Sequence, residues 1–294
     1  MAFKKILVPV DFSESSDSAV EYAMFMARKF RAEITLLHAI LLYHDDIDEE
    51  EHMQAYEKII RKKEKQSNKQ LESHFKTAKD QGLKVKYVLI RAFAAADSIL
   101  NYISENDFDL VVMGTHGRTG LKKWILGSVA EKVVRLSTIP VLTIHKEFYK
   151  TDIKKILVPV DFSGYSQIAV KRAAAVAEEF KAKLEFLHVV EMEAHPEFYS
   201  ISFEPILKAN PHLTDHITEN LIKLTGIAQD RATYAVREGK VHNEIKIYAE
   251  NNQIDLIVMA NRGMSDLEHL VLGSNSERVV RVASCPVLIV RENA

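Results

Sequence analysis

The residues of this chain best suited to holding a phosphate lie between Gly114 and Ser128, which read Gly-Thr-His-Gly-Arg-Thr-Gly-Leu-Lys-Lys-Trp-Ile-Leu-Gly-Ser. An apolar run, residues 109–113, precedes them, and a helical pattern, residues 129–136, follows. A strand ending in glycine, a loop, and then Gly-Ser at a helix start give an α/β sheet a phosphate cradle. Glycine lets a ligand approach backbone N–H groups closely. The helix N-terminus adds unpaired donors and a partial positive charge. The plainer reading is that these glycines only make turns. Arg118, Lys122 and Lys123 place positive charge in the loop, which favours a polyphosphate. His116 is placed to contact phosphate or to act as an acid–base group, but its ordinary pKa near 6.5 decides neither. No Walker A sequence, His-Glu-x2-His or Gly-x-Ser-x-Gly occurs, which argues against the commonest hydrolase chemistries.

The elements that must position this loop come from a duplication. Residues 4–13, Lys-Lys-Ile-Leu-Val-Pro-Val-Asp-Phe-Ser, recur identically as residues 154–163. The offset of 150 persists to Leu37-His38-Ala39 against Leu187-His188-Val189 and becomes 146 at Gly117/Gly263, Gly127-Ser128/Gly273-Ser274 and Pro140/Pro286. So long a period signals two whole domains rather than a solenoid. The boundaries expected are 1–148 and 149–294, joined by a short polar segment.

Within the first copy, apolar β-rich runs predict strands near 6–10, 34–37, 85–90, 109–113 and 141–144. Helices are expected after Ser13 or Ser15 as N-cap, over the charged stretch 49–80, over 97–105 and after Gly127. Ile59, Ile60, Leu71 and Phe75 are the expected contacts of the long helix. His44, Asp45, Asp46, Asp48, Glu49, Glu50, Glu51 and His52 read as its solvated acidic start rather than a metal site. The second copy predicts strands near 156–160, 184–188, 233–237, 255–259 and 287–290. Its middle, 191–210, is richer in proline and aromatics and reads as loop before a shorter helix. His38 and His188 read as hydrogen-bonded core residues.

Alternating strands and helices require parallel pairing with right-handed crossovers. Ligands of such open sheets bind past the strand C-termini where the order reverses. The order 3-2-1-4-5 would bring Asp11 beside Gly114–Gly117; the competing order 2-1-3-4-5 would separate them. The plainer role for Asp11 and for its copy Asp161 is capping of the next helix.

Composition narrows the classes. The chain has 294 residues, 47% hydrophobic and 27% charged, with net charge −2, the mix of a soluble globular protein. That charge implies no general attraction to nucleic acid. The single cysteine, Cys285, excludes an intramolecular disulfide and reads as buried. The N-terminal apolar segment is too short for a signal peptide or membrane span, so the cytoplasm is the expected compartment.

Taken together, Ile-Leu-Val-Pro-Val-Asp, Leu-Leu-His at the second strand and Gly114-x2-Gly117-x9-Gly127-Ser128 resemble the universal stress protein family, twice and over essentially the whole chain. The resemblance implies a Rossmann-like α/β fold. Two tandem open five-stranded parallel sheets of order 3-2-1-4-5 would carry helices on both faces and pair as an internal pseudo-dimer, with a homodimer as a further option. It implies ATP, with Mg²⁺ on the phosphates. By motif position Gly114 would approach the ribose. Gly117, Gly127, Ser128 and the Val129 backbone would hold the phosphates, Pro9 and Asp11 would flank the adenosine, and the Ala39 backbone would read the adenine edge. The matching second set is Pro159, Asp161, Val189, Gly239, Gly263, Gly273, Ser274 and Asn275.

Each half departs from the family pattern. Phe93 stands in the first half where the family, and the second half with Gly239 and Ile245, has glycine; it would either stack on adenine or fill the pocket. Ala260 replaces Gly114 in the second half, a change that costs little if φ is negative and blocks the site if it is positive. Asp266 and Glu268 replace the basic loop residues. The first half is therefore expected to be the better site. The function this implies is a nucleotide-dependent regulator in the stress response. The alternatives are a scaffold that recruits a protein partner without nucleotide, and a slow ATPase.

Overall fold

The computed structural model describes residues 3–42, 50–117, 126–145, 152–191, 205–261 and 273–291. The chain forms two compact units, Ala2–Tyr149 and Lys150–Ala294. The first contains β1 (Lys5–Pro9), α1 (Glu14–Phe30), β2 (Glu33–Leu41), α2 (Glu50–Asp80), β3 (Lys84–Ala92), α3 (Ala95–Ser104), β4 (Leu110–Gly114), α4 (Ser128–Leu136) and β5 (Val141–Ile144). The second contains β6 (Lys155–Pro159), α5 (Gly164–Phe180), β7 (Lys183–Glu191), α6 (Ile206–Ala209), α7 (Pro211–Thr225), β8 (Ala232–Gly239), α8 (Val241–Asn251), β9 (Leu256–Ala260), α9 (Ser274–Val282) and β10 (Val287–Val290).

In the first unit the strands run β3-β2-β1-β4-β5, and in the second β8-β7-β6-β9-β10. Pairing within each unit is parallel. This is the order 3-2-1-4-5 in both copies and excludes 2-1-3-4-5. The central strands are apolar throughout because helices cover both faces: Ile6, Leu7, Leu110 and Val111 are fully buried, as are Ile156, Leu157 and Ile257.

Repeated side-chain devices fix the frame. Asp109 accepts from the backbone N–H of Lys4 at 2.8 Å, and Asp255 from that of Lys154 at 2.8 Å. Each acid clasps the start of the first strand to the turn before the fourth. Ser13 and Ser163 cap α1 and α5, accepting from the N–H of Ser16 and Ser166. Asp11 and Asp161 stand one step behind them, accepting from the Ser13 and Ser163 hydroxyls at 2.6 Å.

The long charged helix α2 packs through one narrow stripe: Ile60, Ser67, Leu71 and Ala78 are buried. Phe75 sits edge-on to Tyr87 of β3. Ile59, expected in that stripe, is 54% exposed. One residue is about 100° of helix rotation, so Ile59 and Ile60 cannot both face the sheet. Arg91 of β3 ties the solvent side down, pairing with Glu57 at 3.0 Å and Glu64 at 2.7 Å. In the second unit α7 is half as long, 15 residues against 31. The acidic start at 43–49 lies outside the described residues. β2 and β7 each extend to nine residues, past the ends their sequences suggest. Cys285 is buried.

Candidate functional site

The site is built at the carboxyl ends of the first and fourth strands. β1 ends at Pro9, and Val10 is held to β2 by its N–H to Leu37 O at 2.8 Å. The chain then turns sharply: Phe12 has φ +63° and its copy Phe162 φ +63°. For a bulky residue this left-handed conformation is strained and persists only where the surroundings fix it. Here the ring packs against a histidine, Phe12 on His38 at 4.5 Å and Phe162 on His188 at 4.7 Å between centroids. Each histidine donates from Nδ1 to the carbonyl just before the turn, His38 to Val10 O at 2.6 Å and His188 to Val160 O at 2.7 Å. Both histidines are thus hydrogen-bonded, as expected. The phenylalanine–histidine brace could be foreseen only from the identity of Asp-Phe-Ser in the two copies.

The brace sets the acid. Asp11 Oδ1 accepts from Ser13 N at 3.0 Å as well as from the Ser13 hydroxyl. Asp11 Oδ2 faces Gly117: a Cβ there would lie 2.9 Å from it. The capping role and the site position of Asp11 are therefore both present. Asp161 Oδ1 accepts from Ser163 N at 3.0 Å and from the Ser163 and Ser166 hydroxyls, each at 2.6 Å.

Across from the acid, β4 ends at Gly114. A Cβ at Gly114 would lie 2.5 Å from Ser15 Oγ and 2.7 Å from Ser15 C and O, so helix α1 itself demands glycine here. After the loop, the Gly127 N–H donates to Thr115 O at 2.8 Å, and Gly273 N to Asn261 O at 2.7 Å. One backbone bond thus closes the base of each loop. Helices α4 and α9 start from Gly127 and Gly273 without any side-chain cap. Their first-turn N–H groups therefore face the site as donors for an anion. His116 Nδ1 is 2.9 Å from Thr115 Oγ1, and burial pushes its imidazole below the ordinary histidine range.

In the second unit these parts surround a cleft of about 520 Å³, within the size range of small-molecule sites. Pro159, Asp161, Val189, Gly273, Ser274 and Asn275 all line it. So do Phe162, His188, Glu191, Val241 and Ile245, none of which is among the site residues expected from the sequence; Ile245 enters there only as the follower of Gly239 in the family pattern and His188 only as a core residue. Ala260 lines it too, in extended strand β9, so its methyl sits at the wall without backbone strain. Gly239 is not among the lining residues; its strand partner Glu191 and its follower Val241 are. Gly239 has φ +146° and packs on Glu244, whose Oε1 would be 3.1 Å from a Cβ. In the first unit Pro9, Asp11, Gly117, Gly127, Ser128 and Val129 occupy the matching places, with Ala39 on β2. Gly263, Asp266, Glu268, Arg118, Lys122 and Lys123 lie outside the described residues.

Phe93 is not the counterpart of Gly239. Leu41 pairs with Ala92, and its copy Glu191 pairs with Gly239. Ala92 therefore matches Gly239. Two residues separate β3 from α3 where a single residue separates β8 from α8. Phe93 is an added residue in that turn, and at 68% exposure it does not fill a pocket.

Among the described residues no group of three or more His, Cys, Asp or Glu could hold a metal, and no helix is long and apolar enough to cross a membrane.

Comparison with known proteins agrees with this construction. The model of the universal stress protein family matches twice, over residues 2–145 and 152–291. Universal stress protein Slr1230 of Synechocystis is 24% identical over 98% of this chain and all of its own length. Universal stress protein MJ0531 of Methanocaldococcus jannaschii is 35% identical over 47% of this chain and 82% of its own. The crystal structure of a universal stress protein from Archaeoglobus fulgidus superposes with TM-score 0.70 at 24% identity, covering 99% of this chain and 98% of that one. Two consecutive matches to one family, on two copies of one fold, identify this chain as a tandem member of the universal stress protein family.

Proposed function

We propose that this protein binds ATP at the switch-point clefts and acts as a nucleotide-dependent regulator in the stress response. The observation that carries the reading is the paired construction: a strand-end acid and an uncapped Gly-Ser helix start meet at the same point in both units. The residues fit the ligand. First-turn N–H groups suit the phosphates, the apolar wall of Val189, Val241 and Ile245 suits a base, and Asp161 stands where sugar or base hydroxyl and amino donors would meet an acceptor. Mg²⁺ would ride on the phosphates and water rather than in a protein cage, as this ion usually does with nucleotides. The first unit, with glycine at 114, 117 and 127 and a basic loop sequence, is proposed as the tighter site, and the second as a further one.

Calorimetric titration of ATP into the full chain tests this, with Gly117→Val and Gly263→Val variants to assign sites. Binding reduced mainly by Gly117→Val supports the reading and the ranking. Loss confined to Gly263→Val reverses the ranking. No binding at millimolar ATP overturns the reading and favours a scaffold without nucleotide.

A further inference from the structure

At the amino ends of the strands, away from the glycine loops, the two copies differ around one buried position. In the second unit β7 carries Glu185, 6% exposed. Its carboxylate accepts from the Tyr248 hydroxyl at 2.8 Å, and the Lys155 ammonium stands 3.7 Å from its other oxygen. Lys155 Nζ also donates to the Asn252 carbonyl at 2.9 Å. A carboxylate, an ammonium and a phenol thus share that space.

The first unit keeps Lys5 at the place of Lys155 and Tyr102 at the place of Tyr248, but has Thr35 at the place of Glu185. Thr35 is buried, and its side chain is shorter than that of glutamate. At this place the first unit has a cavity of about 190 Å³, lined by Thr35, Lys5 and Lys86 and by the acids Glu33, Glu105 and Asp107. The buried Phe108 also lines it, its ring 5.7 Å from that of Tyr102 between centroids. With no inner carboxylate to meet, Lys5 reaches outward to within 4.0 Å of the fully exposed Asp107. Lys86, half-exposed, lies 3.5 Å from Glu33. Ion pairs this exposed contribute little, so a ligand displaces them at small cost.

The lining decides the class of ligand. The cavity is smaller than the ~300 Å³ at which drug-sized sites begin, so its ligand has few heavy atoms. Two ammonium groups and three carboxylates oppose a ligand of one charge sign and favour one that carries both. The second copy shows which group belongs inside: a carboxylate beside the lysine of the first strand. We propose that the first unit binds a small α-amino acid in this cavity, its carboxylate taking the place that Glu185 fills in the second unit and its ammonium meeting the acids of the lining. Lys5 and Lys86 donate to the carboxylate, and Glu33, Glu105 and Asp107 accept from the amino group. The site lies at the other end of the strands from the switch-point clefts and does not rest on the nucleotide reading.

The test is a nuclear magnetic resonance titration of the ¹⁵N-labelled full chain with glycine and L-serine, followed at the backbone amides of Thr35, Lys86 and Phe108. Acetate and ethylamine serve as probes that each carry one of the two charged groups. Glycine or serine is expected to shift these amides saturably. Acetate and ethylamine should bind at least about tenfold more weakly, because each forfeits hydrogen bonds to charged groups. Lys5→Gln should weaken the amino acid about tenfold on the same ground. Thr35→Glu, which installs the carboxylate of the second unit, should abolish binding. Lys5 has a half-exposed side chain, so Lys5→Gln decides the matter if Thr35→Glu fails to fold. Shifts that survive Lys5→Gln unchanged place the ligand elsewhere and overturn the proposal. Acetate binding as tightly as the amino acids overturns it too, and so does the absence of saturable shifts at millimolar glycine and serine.

Discussion

Asp11 faces Gly117 across the switch point: the Asp11 Oδ2 atom lies 2.9 Å from where a Cβ on Gly117 would be. That close approach brings the end of the first strand beside the start of the glycine loop. A side chain at 117 must displace the acid. Gly117→Ala should therefore weaken nucleotide binding at the first cleft while costing only about 1–3 kcal/mol of stability, the usual range for overpacking. Paired calorimetric titrations and urea melts measure both.

Exchanging the glycine and alanine that end β4 and β9 should destabilise both units, the first more than the second. A methyl at Gly114 meets the Ser15 backbone at 2.7 Å, which cannot rotate away. Gly114→Ala is expected to destabilise by about 1–3 kcal/mol or more. Ala260→Gly should cost about 0.5–1 kcal/mol through chain entropy. Urea unfolding of the two variants gives the comparison.

Tyr248 donates to the buried Glu185 carboxylate at 2.8 Å, with Lys155 3.7 Å from the other oxygen. Burial, and then Glu185, push the Tyr248 hydroxyl upward and keep it protonated. Tyr248→Phe removes one donor from a nearly dry carboxylate and should cost about 1–3 kcal/mol. The first unit has Thr35 at the place of Glu185, so Tyr102→Phe should stay within about 0.5 kcal/mol. Equal losses in the two variants would deny the network its role.

Two histidines predict a pH dependence. Burial lowers the His116 pKa; burial, then Arg278 and Lys240, lower that of His242, with Glu191 opposing. Each ring takes up a proton less readily folded than unfolded. Their contribution to stability is therefore intact above about pH 6.5, the ordinary histidine value, and is lost as pH falls below it. The melting temperature should drop between about pH 7 and about pH 5.5. His116→Asn and His242→Asn should each flatten that slope, and the double variant most; an unchanged slope would assign the effect to other groups.

The parts of this fold that were readable in the sequence are those set by local pattern. Ten identical residues gave away the duplication, and apolar runs placed ten strands to within a few residues. The strand pattern alone leaves 3-2-1-4-5 and 2-1-3-4-5 both open; the family resemblance implies the first, and the paired backbone shows it in both copies. What escaped notice depends on contacts between distant residues. Ile59 and Ile60 look alike in sequence, yet helix rotation buries only one. Phe93 looked like a replacement for glycine because the offset of 146 fits the following helix. Strand register, which only the paired backbone displays, moves it into the turn. Gly114 looked like a ligand glycine, and its tightest neighbour proves to be Ser15. Nothing local marks Phe12 as left-handed; its need for His38 joins residues on two strands.

The single backbone bonds from Gly127 to Thr115 and from Gly273 to Asn261 have an engineering corollary. Each glycine loop leaves and re-enters the fold at two posts already fastened together, so closing it places no further demand on the sheet. Between these posts the two sequences differ in charge, with Arg118, Lys122 and Lys123 in one copy and Arg262, Asp266 and Glu268 in the other, while the strands and helices on either side keep their order. Substitutions confined to either segment should therefore leave the strand order of its sheet intact.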